Sequence, residues 1–562
     1  MRKGILITIL VLVIIIIFLA LGAGYVYMQF TREPHVAGNS FLKINLSGEI
    51  VDSDDSFLSK KHSIRDLWYH LERARIDNRI KGVLLKISYL NAGWAVVEDT
   101  GRIIKNFRKS GKKVYAYIEG GGLREYFLAT FADKVYAFKG GDSLILNGLA
   151  AEAIFLKKTF SNLGIKAEYY HIGEYKTGAN MFTEDHLTPA HKESLQKLLD
   201  DIFESTLEKI AGNRNIPKEV IKKIISEFSL SSAACVEAHL IDRLVYEDEI
   251  IDDLEKEHKI IDFNIYKETG SPLPYLGQDK IAVIFAAGEI HSGCSGGKSL
   301  TGGNIMGAGT VTKQLRAVSK NRAVKAVVLR IDSPGGSPFA SDAIRREVEL
   351  LVKKKPLIIS MSNLGASGGY QLSLSASKIL VLPQTITGSI GVLGGKFIFK
   401  GLYDKVGLKK ALLKTTEYAD WFSDYRGFST KEKKKFMTVM RRIYDSFVSL
   451  VAKNRDLDIE AVEKIARGRV WAGNSAVESG LVDRIGGLLD AIDEAKKLAK
   501  IPAEQKVGVK VYPRKKSLWD TVYELMGVGT EAGNPVAGIK AQLSMFKRFF
   551  PALLLPYRIE IN

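Results

Sequence analysis

Short apolar runs rich in β-branched residues alternate along the chain with segments whose apolar side chains recur at helical spacing. The short runs occupy residues 83–87, 114–118, 134–137, 327–331, 357–361 and 379–382. We interpret them as buried strands, and residues 341–352 as one of the helices between them. Because short buried strands separated by helices are typical of βαβ units, the pattern predicts an α/β fold with parallel sheets.

The same pattern occurs twice, about 240 residues apart. The recurring segments are Ser-Gly-Glu-Ile at 47–50 and Ala-Gly-Glu-Ile at 287–290, Ile-Lys-Gly-Val-Leu-Leu-Lys-Ile at 80–87 and Val-Lys-Ala-Val-Val-Leu-Arg-Ile at 324–331, Ala-Asp-Lys-Val at 132–135 and Ala-Ser-Lys-Ile at 376–379, and Leu-Ile-Asp-Arg at 240–243 and Leu-Val-Asp-Arg at 481–484. Each half then ends in a helix-rich stretch, at residues 188–211 and 430–454. Four matches in one order at a nearly constant offset indicate an internal duplication.

The duplication predicts how the chain is divided. We expect an N-terminal repeat at residues 38–265, a linker at 266–279 and a C-terminal repeat at 280–512. The linker region is rich in glycine and proline. A C-terminal tail follows at residues 513–562, and its end mixes basic and apolar side chains that can contact lipid, a partner subunit or the body of the protein.

Residues 5–28 are almost wholly apolar and carry no charged side chain. A helix of this length extends about 36 Å, enough to cross the roughly 30 Å hydrocarbon core of a bilayer. Arg2 and Lys3 precede it, so the positive-inside rule keeps the N-terminus in the cytoplasm and sends the rest across. We therefore expect a cytoplasmic stub and one transmembrane helix within residues 1–37. A cleaved signal peptide is the alternative, since small residues at 20–24 would permit cleavage.

The charge balance is basic, with 81 Lys and Arg against 63 Asp and Glu. The basic residues form short scattered clusters without interleaved aromatic residues, which favours solvated faces and attraction to anionic lipid over nucleic-acid binding. Cys235 and Cys294 are far apart and lack a Cys-x-x-Cys partner, so they predict neither a disulfide framework nor a zinc site. Asp52, Asp54 and Asp55 lack spaced partner ligands, and we interpret them as a solvated turn rather than a metal site.

Two glycine-rich turns in the second repeat are candidates for chemistry. Asp-Ser-Pro-Gly-Gly-Ser at 332–337 follows one predicted strand, and Gly-Ala-Ser-Gly-Gly-Tyr at 365–370 follows the next. The hydroxyl of Ser367 would lie at the start of a helix, where free backbone N–H groups and the helix dipole can stabilise a developing oxyanion. Either turn alone would also be compatible with an ordinary tight turn.

A serine nucleophile needs a base. The nine histidines lie at positions 35, 62, 70, 171, 186, 191, 239, 258 and 291, so none lies in the chain after His291. A Ser-His-Asp arrangement within the second repeat is therefore implausible, and lysine is the obvious alternative. A lysine acts as a base only when neutral, so desolvation has to lower its pKa by several units from about 10.4.

Together with Thr-Gly-Ser-Ile-Gly at 387–391, the two turns resemble the signal peptide peptidase A (protease IV) family in its long, duplicated, membrane-anchored form. The resemblance covers the chain from the anchor to about residue 500. It implies tandem domains of the Clp protease and crotonase type and a serine peptidase with a Ser-Lys dyad, without metal or other cofactor. It also implies a ring-like homotetramer at the bacterial inner membrane, with the catalytic body on the periplasmic side.

The resemblance assigns roles to five residues. Ser367 matches the nucleophile, and Ser389 matches a serine that hydrogen-bonds the catalytic lysine. Gly336 and Gly368 match the backbone donors of the oxyanion hole. In the family's long form the lysine lies in the first repeat, and the matching residue is Lys176, within Gly-Glu-Tyr-Lys-Thr-Gly at 173–178.

The internal repeat offers an independent test of the dyad. Aligning the two copies places Leu123 opposite Ser367 and Ala419 opposite Lys176. The first copy thus keeps the lysine without the serine, and the second keeps the serine without the lysine. Complementary loss of this kind is expected when an ancestor holding both residues is duplicated. The alternative is that Lys176 is an ordinary surface lysine.

We therefore expect a membrane-anchored serine endopeptidase that degrades cleaved signal peptides and other short apolar peptides and has no nucleic-acid partner. An apolar site would both lower the lysine pKa and suit such substrates. Two alternatives are an acyl-CoA hydrolase or isomerase on the same fold, and a membrane-bound scaffold or chaperone that lost activity. The anchor and the split dyad argue against the first, and the presence of all reacting groups argues against the second.

Overall fold

A computed structural model of the chain describes residues 36–54, 61–227, 232–269, 279–297, 299, 303–502, 504–505, 507–513 and 553–554. Within these residues, no helix is both long enough and apolar enough to cross a membrane. The anchor predicted at residues 5–28 lies outside the described part of the chain and stays a prediction. Most of the predicted tail also lies outside it.

Both halves of the chain consist of alternating strands and helices. The strands are β1 (Ser40–Val51), β2 (His62–Ser63), β3 (Ile80–Asn91), β4 (Lys113–Gly120), β5 (Lys134–Phe138), β6 (Lys166–Ile172), β7 (Arg243–Val245), β8 (Lys259–Asp262), β9 (Lys280–Ala287), β10 (Glu289–His291), β11 (Ile305–Gly307), β12 (Val324–Ser333), β13 (Gly335–Gly336), β14 (Leu357–Ala366), β15 (Lys378–Val381), β16 (Ile386–Gly388), β17 (Val392–Ile398), β18 (Val470–Ala472), β19 (Arg484–Ile485), β20 (Gly508–Tyr512) and β21 (Leu553–Leu554). The helices are α1 (Ile64–Ile76), α2 (Trp94–Arg108), α3 (Leu123–Ala129), α4 (Lys157–Leu163), α5 (Asn180–Thr183), α6 (Pro189–Arg214), α7 (Lys218–Ser226), α8 (Ser232–Glu237), α9 (Glu247–Glu255), α10 (Phe263–Lys267), α11 (Ala308–Lys320), α12 (Pro338–Val352), α13 (Gly368–Ser373), α14 (Lys400–Lys405), α15 (Thr430–Arg455), α16 (Ile459–Ile465), α17 (Gly473–Glu478) and α18 (Leu488–Leu498), with a 3-10 turn at Thr177–Ala179.

Each repeat is built around a largely parallel sheet. In the first, the order is β2-β1-β3-β4-β5-β7, with β8 also paired to β1, and every pair is parallel. In the second, the order is β18-β16-β14-β12-β9-β20, with β15 between β14 and β19, and the β16–β18 pair is antiparallel. The order β1-β3-β4-β5-β7 is thus repeated as β9-β12-β14-β15-β19. The predicted α/β fold with duplicated parallel sheets is confirmed.

The central strands are buried because helices cover both faces of each sheet. In β12, every residue except Lys325 and Asp332 is buried, which explains why this strand is recognisable as a continuous apolar run. The predicted strand at 327–331 lies inside β12, and the predicted helix at 341–352 lies inside α12. Both predictions are confirmed.

The duplication extends to individual hydrogen bonds. The hydroxyl of Tyr126 in α3 donates to the Leu240 carbonyl at 2.9 Å, and that of Tyr370 in α13 donates to the Leu481 carbonyl at 2.7 Å. Helices α6 and α15 each have 26 residues, and each begins at a hydroxyl residue that caps the first turn. The two repeats therefore share one scaffold, on which their differences can be compared residue by residue.

The two repeats pack against each other through a common core. Leu488 and Ile492 of α18 join the apolar cluster of the first repeat, as do Val283 and Val328 from the second sheet. Strand β6 of the first repeat also pairs antiparallel with β17 of the second. These contacts hold the two repeats together. They also fix the position of the chain after β6, which runs into the second repeat.

The predicted linker at 266–279 begins inside α10, and residues 270–278 are not described, so the domain boundaries stay predictions. The interpretation of Asp52 as part of a solvated turn is wrong. Its side chain is buried, and Oδ1 accepts a hydrogen bond from Nε of Arg330 at 2.9 Å, across the contact between the repeats. The arginine lies 278 residues away in sequence, which is why no local pattern indicated the pairing.

Candidate active site

The chain after β6 carries Lys176 out of the first repeat and into the second. The β6–β17 ladder ends with Ile172 opposite Val392, and the backbone N–H of Tyr175 then donates to the Arg467 carbonyl at 2.9 Å. The backbone passes so close to Gly468 that a Cβ there would lie 2.5 Å from Cβ of Lys176. Glycine at 468, with φ +84°, permits this approach.

Ser367 occupies a sharp turn between β14 and α13. It caps α13 with φ 56° and ψ −113°, a conformation that non-glycine residues rarely adopt. Its N–H donates to the Gly388 carbonyl at 2.8 Å, and its carbonyl accepts from the N–H of Gln371 at 2.8 Å. Backbone strain held in place by surrounding hydrogen bonds is a common feature of functional sites.

The structure brings Lys176, Ser367 and Ser389 together. Nζ of Lys176 lies 2.7 Å from Oγ of Ser367. It also donates to Oγ and to the carbonyl oxygen of Ser389, at 2.9 Å each. All three residues are fully buried. Ser389 itself has φ 53° and is held by donation of its N–H to the Arg469 carbonyl at 2.8 Å.

Burial determines the protonation of the lysine. It lowers the pKa of Lys176 well below its ordinary value of 10.5. A neutral amine keeps two N–H groups and one lone pair. The two N–H groups fit the two oxygens of Ser389, which leaves the lone pair for the hydroxyl proton of Ser367. The arrangement can therefore remove that proton, as a general base does.

Gly336 and Gly368 lie side by side next to this turn. A Cβ on Gly368 would lie 3.2 Å from the amide nitrogen of Gly336 and 2.5 Å from Oγ of Ser341, so the packing leaves room only for glycine. Gly336 has φ +151°, and a Cβ there would meet the Ile290 carbonyl oxygen at 2.2 Å. Since Gly368 opens α13, its N–H has no carbonyl partner within the helix. Adjacent amides of this kind can stabilise an oxyanion.

Strand β13 has a second neighbour that the sequence did not indicate. Leu553–Leu554, from the predicted tail, pairs with it antiparallel, with Gly335 opposite Leu554 and Gly336 opposite Leu553. This edge of β13 can therefore hold an extended polypeptide alongside the glycine amides.

Two further features at the site depend on contacts that the sequence alone does not indicate. The carboxylate of Asp332, within the first glycine-rich turn, accepts from the N–H of Leu364, which lies three residues before Ser367. In the first repeat, the carboxylate of Glu125 accepts from the N–H groups of Leu90 and Gly122, and so links the two segments that correspond to the glycine-rich turns. Asp332 stands inside a motif already singled out, but its partner could be found only from the fold. In the described residues, no three His, Cys, Asp or Glu side chains form a metal-ligand group.

Comparisons with known proteins agree with this picture. A sequence profile of Peptidase family S49 matches residues 106–261 and 349–502, one stretch in each repeat. The chain is 35% identical to "Serine protease SPPA, chloroplastic" of Arabidopsis thaliana over 483 residues, which are 84% of this chain and 71% of that protein. It is 31% identical to "Protease 4" of Haemophilus influenzae (81% and 78% of the two chains) and 30% identical to "Protease 4" of Salmonella typhi (79% and 73%). The chain belongs to peptidase family S49, and it is a serine protease.

Proposed function

We propose that Ser367 is the nucleophile of this serine protease and that Lys176 is its general base. The observation that carries the proposal is the 2.7 Å separation between Lys176 Nζ and Ser367 Oγ in a fully buried site. Burial supplies the required protonation state, because it favours the neutral amine. The two residues come from different repeats of one chain.

Each step of peptide hydrolysis can be given to a group at this site. Lys176 accepts the hydroxyl proton of Ser367 while Oγ bonds to the carbonyl carbon of the scissile peptide. The N–H groups of Gly336 and Gly368 donate to the oxyanion that forms. The lysine ammonium gives its proton to the leaving amine, the C–N bond breaks and an acyl-serine remains. A water molecule, deprotonated by the neutral lysine, then attacks the ester carbon. The bond between that carbon and Oγ breaks, the lysine ammonium returns its proton to Oγ, and the acid is released.

Ser389 orients the lysine and stabilises its charged form. Both of its oxygens accept from Nζ at 2.9 Å, so two of the three ammonium protons have fixed partners when Lys176 becomes charged. No carboxylate pairs with Nζ among the hydrogen bonds of the described residues. The ammonium is therefore stabilised enough to form during the reaction and too weakly to persist at rest.

The substrates we propose are cleaved signal peptides and other short apolar peptides. The antiparallel pairing of β21 with β13 supports an extended peptide bound along the same edge, beside Gly336. Short peptides fit such a site because an extended backbone must reach a fully buried serine. The resemblance to the signal peptide peptidase A family supports the class of peptide.

We also propose that the protease is anchored in the bacterial inner membrane by one helix within residues 5–28. The uncharged apolar stretch and the preceding Arg2 and Lys3 support this topology, with the catalytic body in the periplasm. A signal peptide released into the bilayer would then lie close to the enzyme.

The repeat symmetry supports assembly of several copies into a ring, for which we propose a homotetramer. Lys176 follows β6, which pairs with β17, and the alignment places residues 409–415 opposite β6 and residues 148–154 opposite β17. Residues 409–415 are exposed, with Leu413 99% exposed, and Ile154 is 69% exposed. Residues 409–415 of one copy could therefore lie along residues 148–154 of the next, as β6 lies along β17.

Cleavage of a synthetic signal peptide by the full-length protein in detergent micelles tests the proposed function. Ser367→Ala and Lys176→Ala should each lower kcat by roughly 10³-fold or more, as removal of a catalytic nucleophile or base does. Lys166→Ala removes an exposed lysine from the same strand, β6, and should leave kcat unchanged. Full activity of Lys176→Ala would contradict the base assignment. A folded wild-type protein that cleaves no peptide would favour the inactive scaffold or chaperone.

A further inference from the structure

A fully buried arginine joins the two repeats behind the proposed active site. Arg330 on β12 donates from Nε to Asp52 at 2.9 Å, and its Nη2 lies 2.8 Å from Oδ2 of Asp99 on α2. Both acidic residues belong to the first repeat, and both are buried. Nη1 and Nη2 also donate to the hydroxyls of Ser360 and Ser362 on β14, at 2.9 and 3.0 Å. We call Arg330, Asp52, Asp99 and the nearby Asp332 the interface cluster.

Asp332 connects this cluster to both glycine-rich turns. It lies two residues after Arg330 and opens the turn that contains Gly336. Its Oδ1 accepts from the backbone N–H of Leu364 at 2.9 Å, just before the turn of Ser367. Its backbone carbonyl accepts from the N–H of Gly288 at 2.9 Å. One side chain at the end of β12 therefore links the turn that leads to Gly336 with the end of β14 that leads to Ser367.

Asn363 extends the same connection into the first repeat. Its Nδ2 lies 3.5 Å from Oδ2 of Asp332, and its Oδ1 accepts from the N–H of Val96 at 3.1 Å, in the first turn of α2. The side chain of Asp99 on the same helix accepts from the N–H of Leu488 at 3.1 Å. The first repeat thus contacts β12 and β14 through a backbone N–H group, that of Val96, as well as through side chains.

The first repeat shows that the scaffold does not require such a cluster. In the ladders of the two sheets, Arg330 lies opposite Ser360 and Lys86 lies opposite Tyr117, so Lys86 is the counterpart of the arginine. Lys86 is 20% exposed and pairs with Glu119 and Glu247 near the surface. Ser88 stands at the position of Asp332. Arg330 and Asp332 are thus present in the repeat that carries Ser367, and Lys86 and Ser88 replace them in the other.

We propose that Asp332 is a positioning residue for the peptidase reaction, which fixes the oxyanion turn of Gly336 relative to the turn of Ser367 and lies near the buried Arg330, whose guanidinium is held by Asp52 and Asp99. The proposal rests on the proposed roles of Ser367 and Gly336. Oxyanion donors are effective only in a narrow range of positions. A residue that fixes the two turns relative to each other therefore affects the stability of the transition state more than the affinity for substrate.

The charges of the interface cluster predict a pH dependence of activity that a purely structural role of Asp332 would not produce. Three carboxylates surround one guanidinium, and Oδ2 of Asp52 has no hydrogen-bond partner within the described chain. Burial, followed by the charge of Asp52, raises the pKa of Asp332 to about 7, and burial also raises the pKa of Asp99. The charged groups facing Asp332 are Arg330 and Asp52. Beyond Asp99, the neighbouring charge is Arg102, which is already paired with Glu98 and Asp490.

Two substitutions of Asp332 separate its acceptor oxygen from its charge. Asp332→Ala removes the acceptor for Leu364, and we expect kcat for peptide cleavage to fall about tenfold to a hundredfold, with KM changed less than about twofold. Asp332→Asn keeps an acceptor oxygen but cannot titrate. Because it is neutral at every pH, as protonated Asp332 is, its kcat at pH 8 should lie between those of the wild type and Asp332→Ala, and it should fall less steeply than that of the wild type as the pH drops from about 8 to 6.

The matched control is Asp483, which accepts the N–H of Ile379 at 2.7 Å on the same sheet and pairs with Arg455 away from the site. Asp483→Ala should lower the melting temperature without lowering kcat of the folded full-length protein. A folded Asp332→Ala with wild-type kcat, or a loss of kcat equal to that of Asp483→Ala, would overturn the proposal. If Asp332→Ala does not fold, an unchanged pH profile of Asp332→Asn would do so. An inactive wild type would instead overturn the proposed function.

Discussion

The two repeats carry the same strand-to-helix turn with opposite chemical outcomes. In the second repeat the turn presents Ser367, and Gly369 follows two residues later. In the first repeat Glu125 stands at the position of Gly369. Its Oε1 accepts from the N–H of Leu90 at 2.6 Å, and its Oε2 accepts from the N–H of Gly122 at 2.7 Å. Glu125 thus holds a carboxylate at the first turn, where the second repeat has no side chain.

The surroundings of the first turn reinforce this difference. A cavity of about 170 Å³ remains beside it, lined by Trp94, Arg124, Asn147 and the turn itself. The guanidinium of Arg124 lies 5.2 Å from the centre of the Trp94 ring and donates to the Leu90 carbonyl at 3.1 Å. A common scaffold therefore does not make an oxyanion site, because the turn must also be free of a side-chain carboxylate that would repel the developing negative charge.

The largest effect is expected from giving the second repeat the acidic residue of the first. Gly369→Glu places a carboxylate beside the active turn, where its negative charge should repel a developing oxyanion. We expect kcat for peptide cleavage to fall about 10²-fold to 10³-fold, the effect of losing one oxyanion donor.

Two controls separate charge from crowding in that experiment. The Cβ of Gly369→Ala would lie 3.0 Å from the Ser333 carbonyl, so this variant measures crowding alone. Glu125→Gly tests the reverse change and should leave kcat near the wild-type value, because the first repeat lacks the serine. Equal kcat for Gly369→Glu and Gly369→Ala would contradict this effect of the carboxylate charge.

A smaller effect is expected from Ser389→Ala, which removes one of the acceptors that hold the lysine. We expect kcat to fall roughly tenfold to a hundredfold, since a hydrogen bond to a charged group contributes about 1.5–3 kcal/mol. Losing an acceptor disfavours the ammonium, so the pKa of Lys176 should fall further and the rise of activity with pH should occur at lower pH. Ser373→Ala, which removes a buried hydroxyl donating to the Gly369 carbonyl at 2.8 Å, is the control. A pH profile that moves upward would be inconsistent with this role for Ser389.

Removing the tail should change activity by a smaller factor in the opposite direction. A chain ending at Pro513 lacks β21, which lies along β13 where we place the substrate. If the two compete, truncation should raise the rate of peptide cleavage at low substrate concentration by about twofold to tenfold. Leu553→Pro in the full-length chain removes one backbone N–H from the pairing and should act in the same direction. Lower or unchanged rates in both variants would show that β21 does not compete.

The smallest effect concerns stability. The pKa of Lys176 is lowered by burial, so between its folded pKa and 10.5 the unfolded chain binds a proton that the folded chain lacks. This group therefore destabilises the fold at neutral pH, and its contribution to stability rises as the pH rises towards 10.5. Lys176→Met should raise the melting temperature at pH 7, by about 2–4 °C per kcal/mol of stabilisation, and reduce this pH dependence. Calorimetry that shows a lower melting temperature at pH 7 would contradict a neutral buried lysine.

The sequence was sufficient for the features that repeat or follow a local period. The apolar runs gave the central strands, and the paired segments gave the duplication. The complementary positions of Leu123 and Ala419 indicated where the serine and the lysine would be found. These features can be recognised in the sequence because a buried strand and a duplicated segment are each made of neighbouring residues.

Features that depend on contacts between the repeats could not be predicted from local sequence patterns. The antiparallel pairing of β6 with β17 explains how Lys176 reaches Ser367, yet it involves segments more than 200 residues apart. Asp52 looked like a surface residue because its neighbours in sequence are polar, and only the fold places Arg330 beside it. Glu125 belongs to an ordinary helix start, so nothing in its local sequence marks it as the group that occupies the first turn.

The most direct test of the split dyad is the reaction of a fluorophosphonate probe with the full-length protein, followed by mass spectrometry of the labelled peptide. Lys396 provides the matched control, because burial, followed by the charge of Arg426, lowers its pKa to about 8, but its Nζ donates to the carbonyls of Trp421 and Ser423. We predict that the label is attached to Ser367 in the wild type and in Lys396→Met, and that it is lost in Lys176→Met and Ser367→Ala. Labelling of Ser367 at the wild-type rate in Lys176→Met, or attachment of the label to another residue, would contradict the account.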